Sequence, residues 1–144
     1  MDFGDWDMHV DIGGPDGGRL HDHLDELARC LAAFATDLGA GLADVTLVTL
    51  SEFGRRASEN GSGGADHGHG NAVLMLGGGV VGGTVHGRWP GLSAANLVDG
   101  DLAGTTDYRQ LLAEVLVNRC GLASPAGVFP GLVPAPPGLV RARG

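Results

Sequence analysis

Glycine fills 27 of 144 positions and is gathered into runs, chiefly Gly61 to Gly70 and Gly77 to Gly83. A residue without Cβ weakens helix and strand interiors and favours turns, so regular structure has to sit in the intervals between these runs. The glycine has no three-residue period and therefore does not mark a collagen-like or low-complexity chain. Each run borders a strand-like segment instead, the pattern of an α/β domain whose long loops carry its function.

Two intervals read as helix and two as strand. Leu20, Leu24, Leu27, Leu31, Phe34 and Leu38 recur at helical spacing. This predicts a helix of about 18 residues from near Arg19 to Leu38, closed by Gly39 or Gly41. Asp22, Asp25, Glu26 and Arg29 take its polar face, and His21 and His23 read as surface residues. Tyr108, Leu111, Leu112, Val115 and Leu116 repeat the pattern, with Thr106 or Asp107 as N-cap and Gly121 past the end. Between them, Val45 to Leu50 and Ala72 to Leu76 are nearly continuous apolar runs, which suit strands buried on both faces of a parallel sheet. Cys30 and Cys120 fall in the predicted helices and are expected as small buried hydrophobes, with a single disulfide left open. Five of the seven prolines lie in Ser124 to Gly144, so that stretch is expected to be irregular and laid on the surface.

The chain has 17 acidic residues against nine arginines, no lysine, and a formal charge of −8. Such a surface repels phosphate backbones, which excludes nucleic acid as a partner unless a bound cation inverts the local field. No stretch reaches the roughly 18 to 20 apolar residues of a membrane span, and the start of the chain lacks the basic and apolar regions of a signal peptide. A soluble chain with no membrane partner is expected.

Ser51-Glu52-Phe53-Gly54-Arg55-Arg56 places a carboxylate just past the first predicted strand, and Asp66-His67-Gly68-His69-Gly70 adds a carboxylate and two imidazoles within four residues. Carboxylate and imidazole ligands on a loop are what a divalent cation such as Zn²⁺ or Mn²⁺ selects. The residues alone leave alternatives. Glu52 also suits an ion pair with Arg55 or Arg56, and the Asp66 to His69 segment suits a solvated loop. Gly77 to Gly83 suits either a phosphate nest or an ordinary turn, and His86, Arg88 and Trp89 suit a pocket rim or ordinary packing.

Five separated motifs, Asp5-Trp6-Asp7-Met8-His9, Thr49 to Arg55, Asp66 to His69, Gly77 to Gly83 and Phe129-Pro130-Gly131, occur in this order from about Gly4 to Leu132. Together they resemble domain-of-unknown-function family 1501, a distant relative of the alkaline phosphatase and sulfatase superfamily. The resemblance implies two metal ions at the carboxyl ends of a parallel sheet. Asp7 and His9 look like the first ligand pair, Ser51-Glu52-Phe53-Gly54 stands where the superfamily shows Ser-Asp-His-Gly, and Asp66 to His69 looks like the later histidine segment. The implied metal ligands are thus Asp7, His9, Glu52, Asp66, His67 and His69. Arg55 is placed to clamp an ester oxyanion through its planar fork. Phe53 stands in place of a ligand histidine, and the superfamily strand that brings the nucleophile has no counterpart before Trp6. Ser51 and Thr49 are the nearest hydroxyls, and neither is marked as activated.

The resulting expectation is an α/β fold, a partial alkaline phosphatase-like parallel sheet flanked by helices over residues 1–132, with the N-terminal half of the fold absent and a Pro/Arg-containing tail over 133–144. The implied function is part of a metal-dependent hydrolase of phosphate or sulfate esters, inactive alone. The alternative is a non-catalytic binding or assembly module that keeps the fold. The implied partners are a divalent metal ion, a small anionic ester, and either a missing N-terminal half or a second copy. Relatives often carry an export signal, which implies an extracytoplasmic compartment for the full-length protein.

Overall fold

The computed structural model describes residues 2–143, and its regular elements lie in the intervals between the glycine runs. In chain order they are α1 (Arg19–Leu38), β1 (Thr46–Val48), β2 (Gly54–Arg55), β3 (His67–Gly68), β4 (Met75–Gly77), β5 (Leu97–Val98), β6 (Asp101–Leu102) and α2 (Tyr108–Cys120), joined by loops and short 3-10 turns. The chain is thus mixed α/β, with two α-helices and small antiparallel sheets. It divides into two units: Met1–Gly39, Ser51–Ala72 and Pro90–Ala103 form one, and Ala40–Leu50, Val73–Trp89 and Gly104–Gly144 the other. Among the described residues, no helix is long and apolar enough to cross a membrane.

In the first unit, α1 takes the bounds its apolar spacing predicts. Gly39 closes it at φ 48, its N–H bonding Ala35 O, a conformation in which glycine carries no Cβ penalty. The leucine stripe is only partly covered: no residue of α1 is buried, and Leu24 stays 48% exposed. His23 is not a free surface residue. Its ring stacks on Phe3 at 4.7 Å and meets Trp6 edge-on at 4.4 Å, and its Nε2 lies 2.6 Å from Gly4 O. β2 and β3 pair antiparallel, Gly54 with Gly68 and Arg55 with His67. A Cβ on Gly54 would stand 1.8 Å from Gly70 O, so this pairing requires glycine. β5 and β6 form a hairpin whose two central residues, Asp99 and Gly100, both have positive φ, the backbone a two-residue type I′ turn demands.

The second unit corrects the expected topology. The apolar run from Val45 yields only the three-residue β1, which pairs antiparallel with β4 in the register Thr46 to Gly77, Leu47 to Leu76 and Val48 to Met75. Among the described residues every strand pairing is antiparallel, so neither the parallel sheet expected from the apolar runs nor the alkaline phosphatase-like sheet that the resemblance implies is seen. Parallel neighbours need a crossover, usually a helix, and the glycine-rich link between β1 and β4 holds only β2, β3 and loops. α2 starts at Asp107, whose carboxylate accepts from Arg109 N–H at 2.9 Å, and ends at left-handed Gly121.

The tail departs from the expected surface course. Leu139 and Val140 are buried with Leu111, and Val48, Met75, Leu112 and Val115 pack against them. They are tied down by Glu114, itself buried on α2, whose two oxygens accept the Gly138 and Val140 amides at 2.9 and 2.8 Å. Cys30 and Cys120 are also corrected: both are free and exposed, because each lies off the covered face of its helix.

Candidate metal centre

The site is built where two segments of the first unit run side by side. Ala65 N–H donates to Met8 O at 3.0 Å, Asp11 N–H to Ser62 O at 3.1 Å and Ile12 N–H to Gly63 O at 2.8 Å. Met8 is buried at 3% exposure. Met8 N–H bonds Trp6 O at 2.9 Å, a tight turn centred on Asp7, and the side chains of Asp7 and His9, on either side of Met8, come together. The segments approach so closely that a Cβ on Gly64 would lie 2.1 Å from His9 carbonyl carbon. β3 follows directly and brings His67 to the same place, beside Arg55 of β2.

Three ligand-type atoms converge. Asp7 Oδ1 lies 2.9 Å from His9 Nε2 and 2.9 Å from His67 Nε2, and the two imidazole nitrogens are 3.2 Å apart. A carboxylate and two imidazoles form a zinc-type donor set, and neighbouring ligand atoms on bonds of about 2.0 to 2.2 Å stand roughly 3 to 3.5 Å apart in a tetrahedron. The donor types suit a single divalent cation, and the sides of 2.9, 2.9 and 3.2 Å are slightly tighter than the spacing around one. Asp66 stands behind His9, its Oδ1 2.9 Å from His9 Nδ1. An ionised carboxylate only accepts, so Nδ1 donates to Asp66, and Nε2 faces Asp7 and His67. With no ion between them, His67 Nε2–H donates to Asp7 Oδ1 at 2.9 Å, and a cation bound there would take the place of that proton.

Electrostatics keep both carboxylates ionised. The His67 hydrogen bond, and after it Arg55, hold the Asp7 carboxyl down to about 2. The His9 and then the Asn60 hydrogen bonds hold Asp66 below the usual carboxylate range. Arg55 is spent on the frame of the site: its Nη2 donates to Asp7 Oδ1 and Trp6 O, both at 2.8 Å, and its Nη1 to Ala65 O at 2.8 Å. Phe53 stacks on His67 with centroids 3.8 Å apart and lies 5.3 Å from the Arg55 guanidinium carbon. It fixes the ring of a candidate ligand without being one.

The other residues singled out in the sequence lie elsewhere. Glu52, implied as a metal ligand, is exposed and outside the cluster, and the two arginines that offered it an alternative ion pair turn to Asp7 and Asp101. His69 is 79% exposed at its side chain, with Nε2 3.7 Å from Asp101 Oδ2. Asp101 Oδ1 is buried without a hydrogen-bond partner. Its 3.5 Å approach to Arg56 Nε is an attraction of charges and too long for a directed bond. Ser51 Oγ donates to Phe53 O, and Thr49 Oγ1 accepts Leu74 N–H. In the Gly77 to Gly83 run, the amides of Gly78, Val80 and Val81 bond backbone carbonyls, which leaves them no role in a phosphate nest. His86 bonds Val81 O, and Trp89 is 68% exposed.

One contributor was missed. Asn60 makes four side-chain hydrogen bonds: Nδ2 donates to His9 O and Asp66 Oδ1, both at 2.9 Å, while Oδ1 accepts Ser62 and Gly64 N–H at 2.9 and 3.1 Å. In the sequence, Asn60-Gly61 signals only a turn, and nothing there points to His9, 51 residues away.

No curated protein and no solved structure matches the chain. A family model does, that of the family described as Protein of unknown function (DUF1501), over residues 1–122. That span takes in Asp7, His9, Arg55, Asn60, Asp66 and His67 together with both helices, and the chain belongs to this family.

Proposed function

We propose that the chain holds one divalent cation, Zn²⁺ or Mn²⁺, on Asp7, His9 and His67, as part of a metal-dependent centre for phosphate or sulfate esters of the alkaline phosphatase and sulfatase kind. The observation that carries this reading is the triangle of Asp7 Oδ1, His9 Nε2 and His67 Nε2, with sides of 2.9, 2.9 and 3.2 Å. A cation there would supply Lewis acidity toward a non-bridging ester oxygen. The chain's own residues do the rest. Asp66 holds His9 in the tautomer that presents Nε2, Phe53 fixes the plane of His67, and Arg55 fixes Asp7. In this arrangement Arg55 serves the carboxylate ligand. Clamping an ester oxyanion, the role its sequence position implies, would require it to leave Asp7.

The second reading, a non-catalytic binding or assembly module, is favoured by the hydroxyls. The Ser51 and Thr49 oxygens are engaged with backbone, and Phe53 occupies the place of a second histidine. Titration calorimetry with Zn²⁺ and Mn²⁺, run beside turnover assays on aryl phosphate and aryl sulfate esters, separates the two. We expect one ion per chain, bound through His9 and His67, and no turnover by the chain alone. Metal-dependent turnover abolished by His67→Ala would establish the hydrolase outright. The absence of any metal binding would end the first reading and leave the binding or assembly module.

A further inference from the structure

We infer that Asn60 is the positioning residue of this centre: it joins the two chain segments that deliver the ligands and fixes which nitrogen of His9 faces the cation. The inference rests on the metal-site reading for its purpose, but not for its geometry. Both amide hydrogens and both oxygen lone pairs of Asn60 are used, which is the full capacity of an asparagine side chain. The acceptor half closes the 60–64 turn on the Ser62 and Gly64 amides. The donor half does two different things. One N–H holds the backbone of His9 through its carbonyl, and the other bonds Asp66 Oδ1, the same oxygen that accepts from His9 Nδ1.

That shared oxygen is the centre of the argument. Asp66 could turn its carboxylate away from the ring, and a free His9 could carry its proton on either nitrogen. With Asn60 donating to Oδ1, the oxygen is pinned between the amide and the ring, and its preferred ring partner is a protonated Nδ1. Nε2 is then the nitrogen turned toward Asp7 and His67. Partners of this kind behind a ligand histidine set its tautomer and orientation, and their loss typically costs about 10 to 100-fold in metal affinity.

Asn60→Asp keeps an acceptor for the turn amides and removes both donors. Asn60→Ser is neutral, offers the turn a hydroxyl acceptor and is too short to span to His9 and Asp66. The full chain is labelled with ¹⁵N-histidine, and the His9 ring is read by NMR with the imidazole neutral, with and without Zn²⁺. In the parent chain we expect Nδ1–H and an unprotonated Nε2. In both variants the ring should become a mixture of tautomers, with Ser62 and Gly64 amide shifts retained and Zn²⁺ affinity down about 10 to 100-fold. A parent chain with the proton on Nε2 overturns the inference without any variant. So do variants that keep the parent tautomer and affinity, or a loss seen in Asn60→Asp and not in Asn60→Ser, which would be an effect of added charge alone. If the parent binds no Zn²⁺, the proposed function fails, and the tautomer measurement still decides the role of Asn60.

Discussion

Replacing Glu114 should expose how the second unit holds its tail. Glu114 is 5% exposed, and its carboxylate accepts two amides, from Gly138 at 2.9 Å and Val140 at 2.8 Å. Val140 is 3% exposed, so after Glu114→Ala its N–H has no water to turn to and bears the full penalty of an orphaned buried donor, about 1 to 3 kcal/mol. Gly138 is exposed, and its amide can be rehydrated, which reduces its share to about 0.5 to 1 kcal/mol. The sum is about 1.5 to 4 kcal/mol, or a fall in Tm of roughly 5 to 12 °C at about 3 °C per kcal/mol for a chain of this length. Glu114→Gln keeps one acceptor but turns an NH₂ toward one of the amides, so it should fall between the parent and Glu114→Ala. Urea unfolding followed by circular dichroism measures the differences, and hydrogen exchange should show protection lost at Val140 first. A Glu114→Ala chain within about 0.5 kcal/mol of the parent, the range of an ordinary surface substitution, would refute the claim that these two bonds hold the tail in the core.

The remaining predictions concern the first unit. Asp7 is held down to about 2 against an ordinary 3.8; because the folded value is the lower one, its stabilisation is present above the ordinary value and is lost as pH falls from about 4 toward 2. A ¹³C carboxyl titration should place the Asp7 midpoint near 2 and move it upward in Arg55→Ala; an ordinary midpoint in the parent would sink the His67 and Arg55 contacts. The partly covered leucine stripe of α1 should make the chain self-associate, with elution on size exclusion shifting with concentration and Leu24→Glu restoring the monomer. A parent monomer melting cooperatively above about 60 °C, high in the usual mesophile range, would contradict this.

Both helices were legible in the sequence because their signals are local. Six apolar residues at helical spacing set α1, and Asp107 with Gly121 caps α2. Strand direction was not legible: Thr46 to Val48 is equally apolar whether its neighbour runs parallel or antiparallel, and the connection decides. The proline-rich tail hid Leu139-Val140, whose burial depends on Glu114, more than 20 residues earlier in the chain. The β5–β6 hairpin could have been found, since Asp99-Gly100 between Leu97-Val98 and Asp101-Leu102 is a turn signal in its own right. At the site, motif similarity pointed to Asp7, His9, Asp66 and His67, which the fold gathers, and also to Glu52 and His69, which it leaves outside. The difference lies in the segment pairing of residues 8–12 with 62–65, a non-local contact with no trace in residue spacing.

The most direct test of the account is an anomalous difference map at the zinc K-edge from crystals of the chain grown with Zn²⁺. The account predicts one peak per chain, bonded at about 2.0 to 2.2 Å to Asp7 Oδ1, His9 Nε2 and His67 Nε2, with Glu52 and His69 away from it. A crystal saturated with zinc that shows no density among those three atoms, or that places the ion on Glu52 or His69 instead, would contradict it.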